Sequence, residues 1–438
     1  MIEYLPLILF GSIFILMLLG YPVAFTLGGL SVLVGLWVFD IDFFYLLSLR
    51  IYGTMQNFVL LAVPLFVFMG MMLEKSGIAE KLLETMAMIF GRFKGGLAVS
   101  IILVGALLAA STGIVGATVV TMGLISLPTM MKRGYSFSLS AGVIASSGTL
   151  GQIIPPSIVL VLLGSVLNVS VGDLFQAAIV PGIGLVVCYL IYTFVYAHFY
   201  PKEAPVIPKE EIEAFKSRGV TGDLIKSFVF PFLLIFAVLG SIFAGIASPT
   251  EAAGVGAFGA ILLTSINGKL SIKMLRSVSQ ETTLITSMVF MILVGATAFS
   301  LVFRGLEGDK IFLDLIQNAN LGPYGFLFVV MLVVFVAGFF IDFIEIIFII
   351  VPVVAPIFLV LGIDLVWIGI LLAINLQTSF LTPPFGFALF YLKGVSPPEV
   401  KTKHLYRGVI PFVIIQILFL ITLILFPGIV TFLPGLLE

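Results

Sequence analysis

The sequence has few charged residues, very little histidine and a single cysteine. Asp, Glu, Lys and Arg together make up 10% of its 438 residues, and the net charge of −1 gives no basis for nucleic-acid binding. One cysteine, Cys188, excludes a disulfide framework and a multi-cysteine metal site, and two histidines make a histidine site improbable. No G-x-x-x-x-G-K-[ST] or H-E-x-x-H motif occurs, so an ATP-driven pump and an intramembrane enzyme are both disfavoured.

Apolar residues make up most of the sequence. Hydrophobic residues make up 61% of the chain and the mean hydropathy is +1.27, whereas soluble domains are about 45–50% apolar and about 25% charged. The chain is therefore predicted to be a polytopic membrane protein. Its N-terminus, Met1-Ile2-Glu3, lacks the basic region of a cleaved signal peptide, so the first apolar segment is expected to remain.

The apolar runs divide into single spans and two longer stretches. Residues 97–131 and 322–361 are too long for one span of about 20 residues and carry glycine or polar residues near their middle. Lys and Arg place both ends of the first stretch in the cytoplasm; the second has no base nearby, so both its ends are predicted outside. We predict two re-entrant helical hairpins, and both termini outside. The predicted single spans are 4–20, 22–38, 55–73, 137–166, 174–199, 228–247, 250–267, 281–303, 365–392 and 408–433.

An internal repeat relates the two halves. A shift of about 228 residues superposes Pro155-Pro156 on Pro383-Pro384, and also Pro22 on Pro249, Gly95 on Gly322 and Pro128 on Pro356. Five spans separate the two starts, and an odd number gives the halves opposite orientation, as in many secondary transporters. The predicted fold class is an all-α polytopic membrane protein with two inverted repeats, two re-entrant hairpins and helices broken at Pro-Pro.

The repeat also predicts a division into a fixed and a moving part. Amphipathic stretches 41–52, 74–92, 269–280 and 302–320 are expected to lie in the membrane interface, as arms between scaffold and core or as connectors without a mechanical role. Core segments would be 97–166 and 322–392. The scaffold would be residues 1–96, 167–227 (with a cytoplasmic linker), 228–321 and 393–438.

Each Pro-Pro pair is expected to interrupt a spanning helix. Proline lacks a backbone N–H and restricts the residue before it, so the helix breaks within 146–157 and within 375–386. Unpaired carbonyls at membrane depth are tolerated where they line a cavity or bind something. Two breaks at matching positions predict a transport site near the bilayer midplane.

A Na⁺ site is predicted where each hairpin meets a break. Small hydroxyl residues and carbonyls supply neutral oxygens for a cation, although small residues also serve close helix packing. The first site would use Ser111, Thr112, Gly113, Gly148, Gly151, Ile154, Pro155 and Pro156. The second would use Gly338, Asp342, Thr378, Leu381 and Pro383.

The substrate is predicted to lie between the hairpin tips. Helix N-termini facing this space would favour an anion. Asp342 and Glu345, three residues apart, are costly at membrane depth; they would bind a cation, pair with an unidentified base, or lie in water at the outer mouth. The predicted substrate-facing residues are Ser146, Ser147, Asn375, Gln377, Ser379 and Glu345.

Three sequence motifs indicate a resemblance to a known transporter family. Gly-Gln-Ile-Ile-Pro-Pro-Ser at 151–157, Pro-Thr-Glu-Ala-Ala at 249–253 and Leu-Thr-Pro-Pro-Phe-Gly at 381–386 resemble the large membrane subunit of tripartite ATP-independent periplasmic (TRAP) transporters. The family's sodium sites match 111–113, 148–156, Gly338 and 378–383. Phe339-Phe340 and Glu345 depart from the smaller or apolar residues expected in the second hairpin.

The resemblance implies how the chain works and with what. It implies an elevator-type carrier in a bacterial or archaeal inner membrane, driven by Na⁺ and without an organic cofactor. The implied partners are membrane lipid, a small four-helix membrane subunit and a periplasmic substrate-binding protein. The implied substrates are organic acids such as C4-dicarboxylates, sialic acid or other sugar acids. No four-helix segment precedes the first span, so we expect an unfused large subunit.

Two other functions fit parts of the pattern. A stand-alone Na⁺/divalent-anion symporter of another inverted-repeat family would use the same broken helices. An ion channel would use the hairpins as a filter, but channels usually form a pore from repeated subunits, whereas this chain carries both copies.

Overall fold

Every regular element in the part of the chain that the structure describes is a helix. The structure, a computed structural model, describes residues 4–113, 115–217, 228–318 and 321–437, without the side chains of residues 110–112, 216, 217, 315–318 and 437. Helices follow from the composition, because a spanning segment must pair its backbone polar groups internally in hydrocarbon. The predicted all-α fold is confirmed.

Among the described residues, fewer helices are long enough to cross a membrane alone than the ten predicted single spans would require. Six helical segments of the described residues are long and apolar enough to cross a membrane, and a bent pair, Phe343–Ile349 with Val351–Val360, adds a seventh at most. The six are Phe58–Lys75, Val115–Lys132, Val171–Phe199, Pro249–Ile266, Ile272–Gly305 and Thr402–Leu425.

A first group of helices lies within 1–96 and 228–321, two of the segments predicted as scaffold. In it the helix Val23–Val38 packs along Ile272–Gly305, and Ala62–Lys75 packs along Pro249–Ile266. Its first-half members are α1 (Leu5–Leu18), α2 (Val23–Val38), α3 (Tyr45–Met55), α4 (Ala62–Lys75) and α5 (Ile78–Phe90). Its second-half members are α12 (Phe230–Phe243), α13 (Pro249–Ile266), α14 (Ile272–Gly305) and α15 (Gly308–Asn318).

The second group contains the predicted hairpins and breaks. Its first-half members are α6 (Gly96–Thr112), α7 (Val115–Lys132), α8 (Phe137–Thr149) and α9 (Ile158–Leu167). Its second-half members are α16 (Pro323–Ala337), α17 (Phe343–Ile349), α18 (Val351–Val360), α19 (Leu365–Leu381) and α20 (Phe387–Val395). The remaining helices are α10 (Val171–Phe199), α11 (Lys209–Ser217), α21 (Thr402–Leu425), α22 (Gly428–Thr431) and α23 (Pro434–Leu437).

Helices α8 and α21 cross at a pair of glycines. A Cβ added to Gly142 would lie 2.2 Å from the carbonyl oxygen of Gly408, and one added to Gly408 would lie 2.0 Å from the carbonyl oxygen of Ser138. Any larger residue would push the helices apart. Small residues thus allow the close backbone approach that membrane helices use for packing.

Both hairpins and both breaks lie where the sequence predicts them. The first hairpin turns after α6, with Gly113 in the left-handed conformation (φ 61°). The second turns at residues 338–342, and its returning arm, α17 with α18, is bent by 50°. Helix α8 is separated from α9, and α19 from α20, around the two Pro-Pro pairs. Both Pro-Pro peptide bonds are cis.

One predicted boundary is wrong. The arm 269–280 and the span 281–303 are a single 34-residue helix, α14, about 51 Å long at 1.5 Å per residue. In the first half the corresponding chain breaks between α3 and α4, where the Asn57 side chain accepts a hydrogen bond from the backbone N–H of Val59. In the second half the cap lies at the start of the arm instead, where the Ser271 hydroxyl accepts a hydrogen bond from the backbone N–H of Met274 at 3.1 Å, and the helix then continues into the span. The segment 167–227, predicted to include a cytoplasmic linker, also contains a short helix, α11 (Lys209–Ser217).

Candidate transport site

The tip of each hairpin contacts the break of the same half. A Cβ added to Gly151 would lie 2.8 Å from the carbonyl oxygen of Ala109, beside the first tip. A Cβ added to Gly338, at the second tip, would lie 2.1 Å from the hydroxyl oxygen of Ser379. Gly151 and Ser379 are 228 residues apart, which is the offset of the sequence repeat. The two halves therefore place a tip against a break in the same way.

At the first break, backbone oxygens are left without helical partners. No backbone N–H of the described residues donates to the carbonyls of residues 153–156. Ser157 donates its hydroxyl to the carbonyl of Gln152 at 2.8 Å and so occupies that oxygen. Gly148 packs against Val119 of the hairpin: its added Cβ would lie 2.4 Å from the Val119 Cγ2. Of the predicted ligands here, the side chains of Ser111 and Thr112 lie outside the described residues.

The second break resembles the first but is more fully capped. The carbonyls of Leu381 and Pro383 accept no backbone hydrogen bond from the described residues. The carbonyl of Thr378 accepts one from the Thr382 hydroxyl at 2.7 Å, and that of Pro384 accepts one from the Tyr406 hydroxyl at 2.9 Å. Of the predicted ligands, Gly338 lies against Ser379, which is the neighbour of Thr378 in the chain.

Asp342 and Glu345 have a local role that the sequence analysis did not predict. Asp342 is the N-cap of α17, and its carboxylate accepts a hydrogen bond from the Phe343 N–H at 2.7 Å. Glu345 reaches back to the Asp342 N–H at 3.1 Å, which completes a capping box. Neither forms an ion pair with any described residue.

The residues predicted to face substrate are mostly buried. Ser146, Ser147 and Ser379 donate their hydroxyls to carbonyls of their own helices, three or four residues back. Asn375 donates to the carbonyl of Met331 at 2.7 Å and thereby joins α19 to α16. Glu345 is partly exposed. The side chains that already donate hydrogen bonds keep oxygen lone pairs with which to accept.

A buried polar network between the halves was missed. Gln377 approaches the Thr149 hydroxyl at 3.5 Å, and Gln416 donates to the Tyr189 hydroxyl at 2.5 Å. These pairs are 228 and 227 residues apart, so repeat-related positions meet each other. Gln152 is fully buried, and neither of its amide atoms has a partner among the described residues. Glutamines within apolar runs were the signal in the sequence.

Two side-chain hydrogen bonds between described residues join the first group of helices to the second. Thr121, on hairpin helix α7, donates its hydroxyl to the Glu74 carboxylate at the end of α4. Asn57, between α3 and α4, donates to the Ser165 hydroxyl on α9 at 3.2 Å. Any displacement of the core along the scaffold must break both contacts.

Comparison with known proteins defines the class. Residues 10–429 match the family described as "Tripartite ATP-independent periplasmic transporter, DctM component". The chain belongs to this family of transporter components, as the sequence resemblance predicted.

Relatives of similar length support the assignment. The C4-dicarboxylate TRAP transporter large permease protein DctM of Vibrio cholerae is 31% identical over 453 residues, covering 98% of this chain and 97% of the relative. The ectoine TRAP transporter large permease protein TeaC of Halomonas elongata is 31% identical, with 96% and 97% covered. The crystal structure of the Alcanivorax borkumensis YdaH transporter has the same fold, with a TM-score of 0.65, 14% identity, and 97% and 99% covered.

Proposed function

We propose that this chain is the large transmembrane subunit of a Na⁺-driven, binding-protein-dependent importer of organic acids. The observation that carries the proposal is the repeated contact of a hairpin tip with a broken helix. Each contact gathers backbone oxygens that lack helical partners, and neutral oxygens at half-helix ends suit a monovalent cation. Because two such contacts exist, two Na⁺ sites are proposed, with the residues predicted from the sequence.

The first Na⁺ site has a direct mutational test. Ser111→Ala and Thr112→Ala each remove a hydroxyl oxygen from the tip of hairpin 1, so we expect uptake to lose its dependence on Na⁺. Sodium activation that is unchanged in both variants would remove these side chains from the site, whatever the substrate.

The substrate is proposed to be an organic anion that lies between the tips. Helices α9 and α20 both begin just after a break, so the partial positive charge of each N-terminus lies beside the site. Related permeases carry the names of C4-dicarboxylate, ectoine and sialic acid transporters. Each of these three ligands carries at least one carboxylate, so a carboxylate is the group we propose this site to recognise.

Transport is proposed to follow an elevator mechanism in the cytoplasmic membrane. Core segments 97–166 and 322–392 would move against the scaffold, with α3, α5 and α15 as arms in the interface. Both termini would lie on the periplasmic side. A small four-helix subunit would support the scaffold, and a soluble binding protein would deliver substrate from outside.

Reconstitution tests this function. Uptake of labelled succinate, sialic acid and ectoine into proteoliposomes would be measured with and without a Na⁺ gradient, for the chain alone, with the small subunit, and with both partners. We expect uptake only with Na⁺ and both partners. Full uptake by the chain alone would instead support a stand-alone symporter, and uptake independent of any Na⁺ gradient would refute Na⁺ coupling.

A further inference from the structure

A polar cavity of about 450 Å³ lies between the scaffold and the core, apart from the hairpin tips. Two arginines, Arg50 of arm helix α3 and Arg304 at the end of α14, line it. Hydroxyl and amide side chains share the rest of the lining with about as many apolar side chains; the polar ones are Thr54, Asn57, Ser165, Asn168, Thr297 and Ser300.

The two arginines form a concentration of positive charge that is poorly neutralised. Arg50 has no carboxylate within 4.0 Å among the described residues, and Arg304 has only Asp309, whose Oδ2 lies 3.7 Å from its Nε. Neither guanidinium donates a hydrogen bond to another described residue. The two guanidinium groups line the same cavity. Burial, and secondly the charge of Arg304, lower the pKa of Arg50. Folding has brought together like charges that an anion would stabilise.

The location makes this charge unusual. By the predicted topology the cavity opens outside, where positive residues are disfavoured next to membrane spans. Two arginines beside several hydroxyl and amide groups match the requirements of oxyanion recognition. A guanidinium offers paired N–H donors with the spacing of carboxylate oxygens.

We propose that Arg50 and Arg304 form an outer binding site for a carboxylate of the substrate, occupied before the substrate reaches the hairpin tips. This inference rests on the proposed function for the identity of the ligand, but anion binding itself does not require transport. Since the cavity has walls from both groups, and Asn57 bonds Ser165 at its edge, the site exists only while the core stays in this position. Binding there would concentrate substrate on the outer side of the carrier.

Chemical protection of the arginines tests binding without transport. The full chain with its small subunit, in vesicles of phosphatidylcholine alone, would be treated with phenylglyoxal, and modified arginines would be identified by mass spectrometry. Succinate is expected to slow modification of Arg50 and Arg304 but not of Arg276, on the opposite side. Succinamide, which has the same shape without charge, is expected to protect neither. Equal rates with and without succinate would overturn the proposal.

Variants then separate the possible sources of the anion. Arg50→Gln is expected to raise the KM for succinate about tenfold or more with little change in maximal rate, and Arg50→Lys to restore part of the affinity. Lys310→Gln, an exposed base on the same side, is the control and should leave KM unchanged.

Two outcomes would replace the substrate with another ligand. Protection by added phosphatidylglycerol but not by succinate would assign the site to a lipid headgroup. If succinate gives no protection and the soluble substrate-binding protein binds the Arg50→Gln variant more weakly, the cavity would be assigned to protein docking. Either result contradicts the proposal, and neither depends on whether Na⁺ drives transport.

Discussion

The contact between the second hairpin tip and its break can be disturbed by a single methyl group. In Gly338→Ala the added Cβ would lie 2.1 Å from the Ser379 Oγ and 2.7 Å from the Ser379 Cβ, whereas ordinary contacts begin at 3.4 Å. Rotating the serine hydroxyl relieves the first overlap but leaves the second. The tip must therefore withdraw from the break by several tenths of an ångström.

The expected energy follows from overpacking. Extra methyl groups in well-packed interiors cost about 1–3 kcal/mol. If the whole cost falls on the Na⁺-bound state, Na⁺ binding is weakened by about 5- to 150-fold. The maximal rate should change less, since the substitution adds no charge and leaves the capping box at Asp342 intact.

The assay is the Na⁺ concentration that gives half-maximal uptake in proteoliposomes, measured beside thermal stability. Gly240→Ala is the matched control, because it lies in a helix and its added Cβ would meet nothing within 4 Å. The control should have wild-type Na⁺ dependence. Gly338→Ala with a wild-type Na⁺ requirement and reduced stability would show that the tip contact is structural, and would refute its role in cation binding.

Two further substitutions test the packing. Gly142→Ala should lower the melting temperature clearly, because the added Cβ would lie 2.2 Å from the Gly408 carbonyl oxygen. Gly11→Ala is the control and should not lower it, because that Cβ would point into open space. Equal melting temperatures for the two variants would contradict the close α8–α21 crossing. Lys75→Gln removes a partly exposed ion pair with Glu281 and should lower the free energy of unfolding by no more than about 1 kcal/mol. Denaturation in detergent measures this change. A larger decrease would mean that the pair holds α4 to α14 more strongly than its exposure suggests.

Much of the fold could be predicted because it follows from local sequence features, namely proline pairs and the lengths of apolar stretches. Proline pairs must break helices, so Pro155-Pro156 and Pro383-Pro384 located both breaks from sequence alone. The length of the apolar stretches predicted the hairpins. The boundary inside α14 failed, because nothing local decides whether an amphipathic arm joins its span. That depends on where the cap lies: Asn57 caps the chain just before the span in the first half, whereas Ser271 caps the start of the arm in the second.

The site could be predicted less completely. The presence of carboxylates at membrane depth predicted a role for Asp342 and Glu345. It did not predict the capping box that they form, because a capping box depends on where the helix begins. The meeting of Gln377 with Thr149 and of Gln416 with Tyr189 depends on how the halves face each other, which no local pattern specifies. Arg50 and Arg304 are 254 residues apart, and only the folded chain brings them to one cavity.

One cross-link tests whether the core moves along the scaffold during transport. Glu74 on α4 and Thr121 on α7 are in hydrogen-bond contact across the boundary. Cysteines at both positions, with Cys188→Ser to remove the native thiol, would be oxidised in proteoliposomes containing both partners. If the core moves along the scaffold, the disulfide will stop Na⁺-driven uptake and its reduction will restore uptake. Each single-cysteine variant will be unaffected by oxidation. Undiminished uptake by fully cross-linked protein would contradict this movement.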